Sequence, residues 1–196
     1  MQPSRLVATD LACRRGDRLL FRGVSVTLES GHSLHVTGAN GVGKSSLLRL
    51  LAGLARPWTG RVEREGAIGL LDARPALDPE LPLGHALAFW AGLDREAGDA
   101  QATVCEFLGL ADLLDVPVRY LSTGQRKRAA LARLIGQRAP IWLLDEPLNG
   151  LDTAAMGLVS QVIGDHCGEG GICVIASHQP LGFAARHELA LAEHAC

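Results

Sequence analysis

Residues 38–46 read GANGVGKSS: three glycines, one lysine, two serines and no bulky side chain. The order Gly38-Ala39-Asn40-Gly41-Val42-Gly43-Lys44-Ser45 fits GxxxxGK[ST], the pattern of a loop that cradles phosphate. Its glycines allow a tight backbone path in which successive N–H groups point at phosphate oxygens. The flanks decide whether this is a cradle or an ordinary glycine-rich turn. SLHVT (33–37) predicts a short strand running straight into the loop. KSSLLRLLAGL (44–54) places apolar residues at helical spacing, and Gly53 marks its end. A strand before and a helix after are the context the cradle requires. The helix adds its positive dipole end. Lys44 reaches the β- and γ-phosphates of a nucleotide, the Ser45 hydroxyl ligates Mg²⁺, and Gly38, Asn40, Gly41, Gly43 and Ser46 complete the expected lining. The expected cofactors are ATP and Mg²⁺.

About a hundred residues on, IWLLDEP (141–147) predicts a buried strand that ends in two carboxylates. In open α/β sheets, ligands bind at the carboxyl edge of the strands. That position suits Asp145 for Mg²⁺ through water and Glu146 for polarising an attacking water. Alone, the pair would pass for a solvated acidic turn; beside the glycine loop it reads as catalytic.

The other segments extend this pattern. Residues 5–28 alternate loosely and break at Arg14-Arg15-Gly16-Asp17, predicting two or three antiparallel strands. Pro57-Trp58-Thr59-Gly60 predicts a turn, and Arg61–Leu71 further strand. A proline-rich connector, DARPALDPELP (72–82), leads into helices rich in Ala and Leu over 83–118. Helices are expected over Arg126–Arg138, with a basic face, and over Thr153–Cys167, followed by a buried strand at ICVIA (172–176). Strands alternating with helices imply a mostly parallel sheet covered on both faces. The expected division is a core with a β subdomain (1–72 and 119–196) and an inserted α-helical lobe (about 73–118).

A chain of 196 residues, 47% hydrophobic with a net charge of -2, has the profile of a globular enzyme rather than of a disordered chain. The near-neutral balance argues against a protein that coats nucleic acid, and no nucleic-acid partner is expected. Cys13, Cys105, Cys167, Cys173 and Cys196 are odd in number and show no CxxC spacing, as expected of free thiols in a reducing compartment. Residues 1–20 contain no signal-peptide pattern, and no run approaches about 18 apolar residues, so no direct membrane insertion is expected. The histidines other than His178 show no metal-ligand spacing. Trp58, Trp90 and Trp142 suit a core or interface better than a base-stacking platform.

Leu121-Ser122-Thr123-Gly124-Gln125 precedes the basic helix RKRAALARL. It resembles the LSGGQ motif of ABC-type ATPases, with Thr123 in place of a glycine. The family order also holds: glycine loop, LSGGQ-like stretch, strand with Asp-Glu, Leu151-Asp152, then a strand ending at His178. The resemblance covers nearly the whole chain. It implies an α/β fold, a P-loop NTPase core of mostly parallel sheet with an antiparallel β subdomain and an inserted α-helical lobe, and it implies ATP hydrolysis. It further implies that a second, identical ATPase chain pairs head to tail, with ATP at the interface. Ser122, Gly124 and Gln125 would then serve the partner's nucleotide, Asp152 would lie at the seam, and His178 would reach the γ-phosphate.

Two positions depart from the family pattern. Where an aromatic residue usually stacks on adenine the chain has CRRGD, and Arg15 is the candidate substitute through its planar guanidinium. Where a glutamine is usual, near 73–75, it has Ala73-Arg74-Pro75; Arg74 has no acceptor atom for Mg²⁺. Finer similarity lies in LLFRGVSVTLESG (19–31), LLRLLAGLARPWTG (47–60), IWLLDEPLNGLD (141–152) and VIASHQPL (174–181). Together these resemble the ATP-binding subunits of cytochrome c maturation systems associated with haem export. That resemblance implies a CcmB-like membrane permease, with CcmC and CcmD, and a peripheral place on the cytoplasmic face of the inner membrane. Three alternatives stay open at this point: another small ABC exporter, an ATP-gated interaction module with negligible turnover, and a soluble ABC ATPase acting on DNA or ribosomes.

Overall fold

The chain opens with a hairpin, β1 (Arg5–Arg15) and β2 (Arg18–Glu29), joined at Gly16-Asp17. Gly16 has φ 60, and glycine at the first central position suits the twist of a two-residue hairpin turn. Arg14 closes the turn, donating to the Gly16 carbonyl and to Asp17, each at 2.8 Å. The computed structural model describes residues 4–72, 75–94 and 98–195, without the side chains of 98–100.

β3 (Ser33–Thr37) runs into the glycine loop, and α1 (Lys44–Ala52) leaves it. Leu47, Leu48, Leu50 and Leu51 are buried on α1, each worth about 1.5–3 kcal/mol of apolar burial. Gly53 caps the helix in a left-handed conformation, its N–H donating to Leu50 O at 3.1 Å, and Arg64 donates to the carbonyls of Leu50 and Leu51 at 2.7 and 2.6 Å.

The strand expected over 61–71 is divided. β4 (Thr59–Glu65) begins within the predicted turn and pairs antiparallel with β1, whereas β5 (Ile68–Leu71) pairs parallel with β6 (Ile141–Asp145). Gly66, at φ 118, turns the chain from one sheet to the other. α2 (Leu83–Asp94) and α3 (Gly98–Phe107) follow. A Pro82–Pro117 bridge draws together the chain before α2 and after α3. α4 (Thr123–Gly136) starts three residues before the expected helix, so it takes in most of the LSGGQ-like stretch. α5 (Thr153–Gly168), β7 (Ile172–Ala176) and a short β8 (His187–Ala190) complete the regular structure.

Two sheets result: antiparallel β2-β1-β4 and parallel β5-β6-β7-β3-β8. Successive strand residues point to opposite faces, and the parallel sheet divides its core accordingly. Ile141, Leu143, Ile172 and Val174 join α1 and the antiparallel sheet in one cluster. Trp142, Leu144, Cys173 and Ile175 join α2, α4 and α5 in the other. The register sets Asp145 opposite Ala176 and Ala176 opposite Val36. The segments after β3, β6 and β7 therefore leave the sheet side by side. Among the described residues, no helix is long and apolar enough to cross a membrane.

Candidate active site

The three adjacent strand ends converge on one carboxylate. Glu146 follows β6 and has φ 48, a left-handed conformation that is uncommon for any residue except glycine. Its N–H donates to the Ala176 carbonyl at the end of β7, at 2.8 Å. Its side chain lies 2.9 Å from His178 Nδ1, just beyond β7, and 3.4 Å from Lys44 Nζ at the start of α1. Burial alone would raise the carboxyl pKa. The hydrogen bond with His178 and the charge of Lys44 outweigh burial and hold it below the ordinary carboxylate value. Glu146 is thus ionised at neutral pH, as a group that polarises water must be.

Lys44 is almost fully buried and donates to the Gly38 carbonyl at 2.8 Å, so its ammonium stands over the loop. Gly38, Gly41 and Gly43 all have φ between 84 and 142. Gly43 is also closely packed: a Cβ there would lie 3.1 Å from Phe21 of β2. The loop is fixed by a backbone only glycine adopts freely and by a ring beneath it.

A cleft of about 350 Å³ joins Lys44, Glu146 and the glycine loop; Gly38 and His178 lie behind its lining residues. Arg15, Asn40, Gly41, Gly43, Lys44, Ser45, Ser46, Asp145 and Glu146 all line it. Its lining contains a buried cation, loop N–H groups and an acidic edge, which is suited to a nucleotide polyphosphate. Ser45 and Asp145 offer hard oxygen donors on the same cleft, a set that fits Mg²⁺ shared with phosphate and water.

Ser122, Gly124, Gln125 and Asp152 are not brought to that cleft. They line a separate hollow with Thr123, Gly150 and Leu151. There Ser122 caps α4 in a reciprocal box: Gln125 N–H donates to Ser122 Oγ at 3.2 Å, and Ser122 N–H donates to Gln125 Oε1 at 2.8 Å. Asp152 caps α5, accepting from Ala155 N–H at 2.8 Å. The Thr123 methyl packs toward Gly150, 3.5 Å from where a side chain there would begin. Arg74 and Ala73 lie outside the described residues.

Three residues were not anticipated. Arg18 and Leu20 line the cleft beside Arg15. Arg18 is the register partner of Arg15, which the Gly-Asp turn could have revealed. Lys127 donates to the Glu146 carbonyl, a tertiary contact that leaves no mark in local spacing. Two tryptophans sit as expected, Trp142 in the core and Trp90 half-buried beside it. Trp58 is exposed beneath Arg14. His166 is buried and stacks on Trp142, with ring centroids 3.8 Å apart. Cys13, Cys167 and Cys173 form no disulfide.

Comparison with known proteins adds names to this geometry. The family model described as ABC transporter matches residues 21–149. A cytochrome c biogenesis ATP-binding export protein, CcmA, from Novosphingobium aromaticivorans is 60% identical over 191 residues, covering 97% of each chain. The protein of the same name from Sphingopyxis alaskensis is 51% identical, over 95% of this chain and 96% of its own. Among solved structures, an ABC transporter ATP-binding protein from Pyrococcus furiosus superposes with a TM-score of 0.86 at 23% identity, over 98% of this chain and all of its own; that likeness concerns the fold.

Proposed function

This chain belongs to the ABC transporter family, among the ATP-binding export proteins of cytochrome c biogenesis, and from that premise we propose how its residues work. It is a transport ATPase. Two identical chains close head to tail over two ATP molecules. In each, Lys44 and the N–H groups of the glycine loop hold the β- and γ-phosphates. Ser45 and Asp145 hold Mg²⁺, which when bound offsets phosphate charge. Glu146 orients and polarises a water. The water attacks the γ-phosphorus, the bond to the β-phosphate oxygen breaks, and ADP and phosphate leave. His178 keeps the Glu146 carboxylate in place and faces the γ-phosphate. The observation that carries this reading is the set of contacts linking Glu146 to His178 at 2.9 Å and Lys44 at 3.4 Å, from the segments that follow β6, β7 and β3.

The separate hollow around Ser122 supports the pairing. Ser122, Gly124, Gln125 and the N-terminus of α4 line a hollow separate from the cleft of their own chain, and in a head-to-tail dimer they meet the partner's ATP. Asp152 lies at the seam. Arg15, with Arg18, holds the adenine in place of an aromatic ring. Closure with ATP and opening after hydrolysis change the state of a membrane permease. The names of the relatives, which print cytochrome c biogenesis and export, support a permease partner; in our reading it is CcmB-like, with CcmC and CcmD, and the role is haem export or release of a haem-loaded chaperone. The chain is peripheral, on the cytoplasmic face of the inner membrane. Exposed Phe89 and Leu93 on α2 offer an apolar face for the permease.

The test is to use Glu146→Gln with ATP as bait in solubilised native membranes, identifying copurifying proteins by mass spectrometry. CcmB and CcmC are expected. Another permease would discard the haem role, and no permease would overturn membrane attachment.

A further inference from the structure

Three consecutive cations near the start of α4 each donate to a main-chain carbonyl. Arg126 Nε donates to Leu121 O at 3.1 Å, at the start of its own helix. Arg128 donates to Leu108 O at 2.7 Å, just beyond α3. Between them, Lys127 donates to the carbonyl of Glu146. Three consecutive cations thus fasten α4 to itself, to the end of α3 and to the catalytic edge of the sheet.

The target of Lys127 is unusual. Glu146 occupies a left-handed backbone conformation, which persists only where surrounding contacts over-determine it. Its N–H is held by β7 through Ala176 and its carboxylate by His178 and Lys44. On its carbonyl side, Asn149 N–H is a long contact at 3.3 Å, and the strong donor is the half-buried ammonium of Lys127. Burial disfavours that charge, and the nearby carboxylates of Glu146 and Asp145 favour it.

We propose that Lys127 is a positioning residue for hydrolysis: it fixes the peptide of Glu146 and makes that carboxylate move as one unit with α4. This rests on the reading of Glu146 as the residue that activates water. Lys127 lies one turn beyond Ser122, at the end of α4 that meets the partner's ATP in the proposed dimer. A shift of that helix end then reaches the chain's own catalytic carboxylate through one side chain. Misplacing a catalytic group by about 1 Å can cost about a hundred-fold in rate.

The test compares Lys127→Met, Lys127→Arg, Glu146→Gln and wild type in the purified membrane complex, measuring kcat, ATP affinity and thermal unfolding. The expected result for Lys127→Met is a kcat lowered about ten-fold or more, with ATP affinity within about two-fold and accumulation of ATP-bound dimer. Lys127→Arg should restore most of the rate. Wild-type kcat in Lys127→Met, or equal losses of rate, affinity and melting temperature not restored by arginine, would overturn the proposal. If Glu146→Gln is inactive and Lys127→Met is not, Lys127 alone is misassigned. Wild-type turnover in Glu146→Gln removes the reading of Glu146 and the proposal with it.

Discussion

A single lysine ammonium, almost fully buried, sets the chemistry of the cleft. Lys44 contacts the Gly38 carbonyl and the Glu146 carboxylate, so it stands between the loop that would hold phosphate and the group that would activate water. Charge-assisted hydrogen bonds contribute about 1.5–3 kcal/mol each. Lys44→Ala is therefore expected to weaken ATP binding by about ten- to hundred-fold; unchanged affinity in a calorimetric titration would refute the cradle. The base end is different in kind. Arg15 and Arg18 face one another across the hairpin, and among the described residues no aromatic side chain lines the cleft. Guanidinium planes stack on any base, so ATP and GTP should bind within a few-fold of each other. The double variant Arg15→Ala with Arg18→Ala should lose both affinity and much of its salt dependence. A wild-type preference for ATP of a hundred-fold or more would contradict this arrangement.

At the scale of elements, α5 carries a pH-dependent weakness. His166 is packed between Trp142 of β6 and Gly171, and burial lowers its pKa from 6.5 to about 4. The folded form keeps the ring neutral while the unfolded chain protonates it from about 6.5 downward. Stability therefore falls as pH drops between those values, by about 3 kcal/mol in all. Urea unfolding at pH 7 and pH 4.5 should show much of this loss in the wild type. His166→Phe keeps a stacked ring without the titration and should flatten the difference; an unchanged pH dependence would exclude His166 as its source. The elements that local pattern revealed are those with one unambiguous period. β3 and β7 are short buried runs, and α1 has an apolar face closed by Gly53. β4 and β5 were merged because what divides them is sheet membership, not composition, and Gly66 was the only mark of it. β8 (HELA) went unseen because a four-residue edge strand beside β3 buries little. Ser122 and Gln125 also fit a helix-capping box, which explains why α4 starts earlier than its apolar pattern. Lys127 was beyond reach, since its partner lies 19 positions away on another element.

At the scale of the molecule, two cores share one parallel sheet, and its carboxyl edge carries the cleft. The nucleotide cleft and the hollow at the tip of α4 are separate surfaces of one chain. In the proposed head-to-tail pair, each cleft would join the other chain's hollow, and ATP would then belong to both chains. That pairing accounts for Ser122, Gly124 and Asp152, whose own-chain contacts are limited to helix caps and loop packing. In that pair hydrolysis would end the shared contact, so blocking it should hold the pair closed. The most direct measurement is the mass in solution of Glu146→Gln with and without Mg·ATP, by light scattering, alongside its turnover. The expected result is a species of about twice the 20.7 kDa chain with ATP and not without it, and turnover slowed at least a hundred-fold. A monomer in the presence of saturating ATP, or turnover at the wild-type rate, would contradict the proposed mechanism.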